Sequence, residues 1–310
     1  MIRALCALGA SLLGVAGIAA CSKAPPSAEQ VTSASAAPNS AAPPATLTSA
    51  PPTRVSSAPP AAAAKPACRA LVVTGDVKVE GSPVLVSSML DGEHWAELAP
   101  NSSLSLRHSA SSREFKLIGP GRFLPCRNGT EQILLAAGRL ATSANLGVRP
   151  GAEVLIATPV GSVRYGDAAL EVELGAQGLS VRVKEGEAWV EPAQGSAPFP
   201  NPVHSGAAHL PAQHMTARAL VAACEASADA AATSAARVLT SGSAGGESSL
   251  GDRAALHMRA RARARIACAI AAAAAFAASD PAERLPLSAS VAHADELWQS
   301  VPRASSGQKN

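Results

Sequence analysis

Leu170-Glu171-Val172-Glu173-Leu174-Gly175-Ala176-Gln177-Gly178-Leu179-Ser180-Val181-Arg182-Val183 decides the fold class of this chain. Apolar and polar residues alternate on both sides of the Gly175-Ala176-Gln177-Gly178 link, the period-two pattern of strands with one buried face. The short glycine-bounded link predicts a hairpin. The alternation recurs in Val77-Lys78-Val79, Leu104-Ser105-Leu106 and Phe115-Lys116-Leu117. Gly75, Gly81, Gly92, Gly119-Pro120-Gly121 and Gly138 punctuate these runs. Repeated short strands with such turns predict a mainly β domain over 68–200, closed as a sandwich, roll or β-helix.

Several of these segments resemble the FecR domain, an extracytoplasmic domain first known from iron-dicitrate sensing. Val73-Thr74-Gly75-Asp76-Val77-Lys78-Val79 is similar to its opening strand, and Leu117-Ile118-Gly119-Pro120-Gly121-Arg122-Phe123 to its middle turn. Thr158-Pro159-Val160-Gly161-Ser162-Val163-Arg164-Tyr165-Gly166 resembles the family signature, which reads Thr-Pro-x-Gly-x-Val-x-x-Gly. Thr158, Pro159, Gly161, Val163 and Gly166 carry that match, and Gly186 lies in the following Val181–Val190 segment. After Gly166 the family usually shows Thr-x-Phe, whereas Asp167-Ala168-Ala169-Leu170 stands here. The resemblance implies a β-domain for contact with an envelope partner. It does not imply transmembrane signalling, because an export signal stands where the family's sensors carry a sigma-contacting segment and a membrane helix.

That signal occupies 1–21. Arg3 supplies a positive start, and an apolar stretch too short for a comfortable membrane span follows. Ile18-Ala19-Ala20-Cys21 looks like a bacterial lipobox, with Cys21 as the acylated first residue of the mature chain. More than one acyl chain gives stable attachment to a bilayer. Ser22 is not the aspartate linked to inner-membrane retention, so the expected address is the outer membrane, facing the periplasm or the cell surface. Residues 22–67 hold ten prolines and one acid, Glu29, among Ala, Ser and Thr. Such a composition buries too little apolar surface to offset chain entropy and predicts a disordered tether. Its reach is about 40 Å as a coil and on the order of 140 Å fully extended.

Residues 201–310 form an Ala-rich region, after a Pro-broken stretch, with helices expected near 213–239 and 252–279. Asp280-Pro281-Ala282-Glu283 is a helix start, with Asp as cap and Pro in the first turn; Pro286 is expected to cut that turn short. Val291, Ala294, Trp298 and Val301 share a face of a last helix, with Trp298 as its anchor. Arg259, Arg261, Arg263 and Arg265 step by about 200° each and are expected to spread round a solvated helix.

Composition narrows the function. The 310 residues are 47% hydrophobic but only 3% aromatic, and a net charge of +3 gives no basic field for nucleic acid. Cys6 leaves with the signal and Cys21 is acylated, so Cys68, Cys126, Cys224 and Cys268 remain, an even number in an oxidising compartment. Two disulfides are expected. Four cysteines allow three connectivities, of which the economical one pairs Cys68 with Cys126 and Cys224 with Cys268. No Cys-x-x-Cys spacing supports zinc, and His204, His209 and His214 read as exposed linker residues without an orienting carboxylate. Glu171 and Glu173 fall on the solvent face of their strand rather than forming an acid–base pair. The chain carries no nucleophile elbow, zinc-protease helix, Walker loop or dinucleotide fingerprint. These observations predict a non-enzymatic lipoprotein, without metal or small-molecule cofactor, that contacts the bilayer through its acyl chains and binds an envelope protein or glycan. The rival expectation is a passive envelope spacer whose helical tail packs or self-associates.

Overall fold

The computed structural model describes residues 68–144, 153–193, 202–212, 215–240, 247–278 and 280–300. Twelve strands make one large mixed sheet. They are β1 (Cys68–Thr74), β2 (Val77–Val79), β3 (Ser82–Pro83), β4 (Met89–Leu90), β5 (Ala96–Leu98) and β6 (Ser103–His108), then β7 (Glu114–Leu124), β8 (Gln132–Thr142), β9 (Val154–Ala157), β10 (Gly161–Gly175), β11 (Gly178–Pro192) and β12 (Gly206–Pro211). Three helices follow: α1 (Ala217–Thr240), α2 (Glu247–Ala277) and α3 (Pro281–Ser300).

The main path of the sheet runs β12-β11-β10-β9-β8-β7-β5-β2-β3, with β1 pairing β4 and β6, and β6 joining β7. All pairings are antiparallel except β8 with β9. The hairpin predicted at Gly175-Ala176-Gln177-Gly178 joins β10 to β11, with Gly175 opposite Gly178 and Val172 opposite Val181. The alternating residues behave as their period requires. Leu104, Leu106, Phe115, Leu117, Leu140, Leu170, Val172, Val181 and Val183 share one buried core.

Two segments do not alternate. Ile133-Leu134-Leu135 and Val154-Leu155-Ile156-Ala157 are buried throughout, as strands covered on both faces must be. Ile133, Leu135, Val154 and Ile156 enter the main core, whereas Leu134, Leu155 and Ala157 enter a second core with the helices. The residues over that outer face come largely from α2, where Cys268, Ala269, Ala271, Ala273 and Ala275 are completely buried. Alanine lets a helix approach closely on several sides at once, so α2 lies against both its helical neighbours and the sheet.

The tail differs from expectation in three places. The sheet continues beyond 200: β12 pairs with β11 from Gly178 opposite Pro211 to Val183 opposite Gly206. Prolines at its flanks obscure the strand in sequence but are tolerated on an edge. Helix α3 runs through Pro286, although Asp280 caps its start as predicted, its carboxylate accepting the Ala282 amide at 2.8 Å. Proline removes one backbone bond there, and burial of Leu287, Val291 and Ala294 in the second core offsets the loss. Finally, the alternating arginines are not uniformly solvated. Arg261 stacks over Trp298 at 5.6 Å and Arg265 approaches Glu153 at 3.5 Å, while Arg259 and Arg263 face outward. Steps of 200° return each second arginine to within about 40° of the same side. Trp298 is half-buried against the second core, and Val301 lies outside the described residues.

Both two-cysteine bridges are present. Cys68 is bonded to Cys126 within the sheet domain, and Cys224 to Cys268 between α1 and α2. Cys268 lies off the Ile266/Ile270 side of α2 and still reaches α1, because the helix is covered all round at that level.

Candidate functional site

The residues of the Thr158–Gly166 signature build a turn. Thr158 is fully buried between β9 and β10. Its hydroxyl donates to the Gly161 carbonyl at 2.9 Å and accepts from the amides of Val160 at 3.2 Å and Gly161 at 3.1 Å. Pro159 holds the corner half-buried, and Val163 points into the main core. A Cβ at Gly161 would stand 2.3 Å from the Glu191 carbonyl oxygen, so only glycine permits β10 and β11 to meet there. Gly186 has φ +82° and would meet the Asp167 carbonyl oxygen at 2.3 Å, which fixes the bulge opposite 166–167. A Cβ at Gly166 would meet nothing. These six positions shape the strands and line no cavity among those described below. Cys21 lies outside the described residues.

Beside this turn, Arg164 bridges Glu153 at 3.1 Å and Glu191, and its guanidinium faces the Trp189 ring at 6.0 Å. Arg265 of α2 joins the same carboxylate of Glu153. Burial lowers the Arg265 guanidinium from its usual range and Glu153 opposes that shift. The cluster holds α2 against β9 and β10.

A second polar group is buried where β6 turns into β7. His108 Nδ1 lies 3.1 Å from Ser111 Oγ and 3.5 Å from Glu131, and Arg113 reaches Glu131 at 3.1 Å. A serine–histidine–acid relay needs serine and acid on opposite ring nitrogens. Here both face one nitrogen, so the group braces the turn instead. Burial would raise the Glu131 carboxyl, but hydrogen bonds from His108 and Ser111 and the charge of Arg113 bring it below the usual range.

The sheet domain also carries an open cleft of about 700 Å³ where β2, β5 and β7 meet. Its floor is Pro120-Gly121, bulged out of β7 between Ile118 and Arg122. The glycines are sterically demanded: a Cβ on Gly138 of β8, at φ +108°, would stand 2.8 Å from the Gly121 Cα. Two ion pairs form the walls. Lys78 donates to Asp76 at 2.8 Å, and Arg122 to Glu97 at 2.8 Å. Two cations and two carboxylates leave the cleft charge-balanced, and Leu98, Ala99 and Ala137 supply apolar surface between them.

One wall of this cleft is tied to the tail. The Arg122 guanidinium lies 4.3 Å from the Phe276 ring, and that ring stacks on Trp95 with centroids 3.8 Å apart and planes 4° from parallel. Arg284 approaches the same ring at 5.1 Å. A cation near an aromatic face is attracted by the ring quadrupole, so helix position and the orientation of Arg122 are linked.

Sequence reasoning did not single out Asp76, Lys78, Glu97, Arg122 or Trp95 as a group. The available signal was the polar residue of each alternating strand beside a Gly-Pro-Gly turn, but only register brings them together. Of the histidines, His209 lies on β12 with Nδ1 3.1 Å from Ser180 Oγ, and His204 faces Glu187 at 3.6 Å, so a carboxylate does stand beside it. His214 is outside the described residues. Glu171 is half-buried beside Lys184 at 2.6 Å, and Glu173 is exposed. Among the described residues, no three His, Cys, Asp or Glu side chains gather as metal ligands would, and no helix is long and apolar enough to cross a membrane. No protein-family model matches this chain, and no curated protein matches it.

Proposed function

We propose that this chain is an outer-membrane lipoprotein, held by acyl chains on Cys21, whose FecR-like β-domain binds a protein or glycan partner in the periplasm or at the cell surface. The cleft carries the reading. It is open and offers donors and acceptors in balance over the Pro120-Gly121 floor. Such a surface suits a neutral, polar partner, whereas a polyanion would require an excess of cations. The lipobox and the Thr158–Gly166 resemblance support the envelope address. The role is non-enzymatic, without metal, nucleic acid or small-molecule cofactor.

A passive spacer is the second reading, favoured by α2 lying against the sheet of its own chain. Capture experiments separate the two. The full acylated chain, incubated with envelope extract or isolated cell-wall glycan, retains a partner; exchanging the wall charges in E97R/R122E abolishes retention. No retention by either protein leaves the spacer; equal retention by both overturns the cleft as the binding surface. Palmitate incorporation that disappears in C21S tests the anchor separately.

A further inference from the structure

Four large apolar side chains stand in solvent at one end of the sheet: Val72 is 53% exposed, Leu85 68%, Val86 59% and Met89 58%. Backbone bonds bring them together. The amide of Ser87 donates to the Ala70 carbonyl, Ala70 donates to Ser88, and Met89 pairs with Arg69, so the 84–89 segment lies along β1. Val84 and Leu90 turn inward to the main core, while these four residues enter neither core. Exposed apolar side chains gathered on paired segments in this way suit an interaction surface.

We propose that this patch is a second, reversible contact with an anionic phospholipid bilayer, resting on the reading that Cys21 is acylated. Three observations select lipid. First, residues 82–90 contain no charge. Second, cations stand beside the patch, while the acidic side chains that flank 82–90, Glu80 and Asp91, are engaged by His94. Arg69 donates to Ser87 at 3.0 Å and pairs across the ladder with Arg107, which engages Glu114; Lys116 follows Ser105, the partner of Val72. A cation beside apolar side chains suits headgroup phosphates above acyl chains. Third, the segment that links the domain to Cys21 ends at Cys68, the residue that pairs with Leu90 next to Met89. A link of 46 residues, 22–67, joins this end to Cys21, so an acylated Cys21 gives a weak contact a high effective concentration.

The experiment uses the full acylated chain reconstituted into phosphatidylcholine vesicles with and without phosphatidylglycerol. A polarity-sensitive fluorophore is placed at Val86→Cys, and at Ala262→Cys on the exposed side of α2 as the reference. The Val86 label shifts to the blue and is quenched by lipid-borne quenchers, more strongly with phosphatidylglycerol, while the Ala262 label does neither. Adding L85Q and M89Q removes the shift without altering the acylated Cys21 peptide in the mass spectrum. Hydrogen exchange of the unmodified chain reads the same contact: the Val86 amide exchanges more slowly on vesicles than in buffer. An acylated chain with no shift and no slowing overturns the proposal alone. A shift that grows with protein concentration without lipid assigns the patch to a second copy and also overturns it. An unacylated Cys21 overturns the anchoring reading, and this proposal with it.

Discussion

Arg127, in the short 3-10 turn before β8, donates to the carboxylate of Asp295 on α3, 168 residues later, and both side chains are buried. Asp295 also accepts from the indole of Trp298 at 2.9 Å. Burial lowers the Arg127 guanidinium from its usual range, and Asp295 opposes the shift. Removing either partner strands the other charge away from water, which costs about 3–5 kcal/mol. Asp295→Ala and Arg127→Ala are therefore each strongly destabilising, and R127M/D295L less so than either. Urea midpoints measure this; an additive double variant would show that the pair is not coupled.

Trp95 and Phe276 give a second link between sheet domain and tail. A stacked pair contributes about 1 kcal/mol beyond its buried area. A cycle of Trp95→Ala, Phe276→Ala and the double variant should give a coupling energy of that size in urea unfolding. Zero coupling would mean that the rings touch without contributing.

The signature glycines should separate into two classes. Gly161→Ala and Gly186→Ala each place a Cβ within 2.3 Å of a carbonyl oxygen and are expected to cost about 1–3 kcal/mol. Gly166→Ala meets no atom and costs less than about 1 kcal/mol. Thermal midpoints of the three variants check the order.

Glu131 links stability to acid. Its folded-state pKa lies below the ordinary value of 4.5, so it contributes stability at higher pH, and that contribution is lost as pH falls through the folded value. Unfolding free energy should fall on acidification below 4.5. Glu131→Gln lowers stability at neutral pH and flattens the acid limb; an unchanged acid slope would contradict the assignment.

The Cys224–Cys268 bridge closes a separation of 44 residues. Replacing both cysteines by alanine frees the unfolded chain and costs about 4 kcal/mol in the loop-entropy account. Unreduced peptide mapping should recover the 224–268 and 68–126 linked pairs; free thiols at those positions would refute the bridges.

Local pattern was enough for much of this. Period-two runs determined the strands and the β10–β11 hairpin, because strand geometry sends alternate side chains to opposite faces. Alanine content and the Asp280 cap determined the helices of the tail. Strand β12 was not legible, since its partner β11 rather than its own sequence supplies the ladder. The cleft was equally hidden: Asp76, Glu97 and Arg122 become neighbours only through the β2–β5–β7 register. Tertiary structure also decided which arginines of α2 face inward, how α3 passes Pro286, and where Arg127 finds Asp295. Sequence periodicity encodes which side of an element is apolar; it does not encode which distant element will cover that side, and burial there settles the rest.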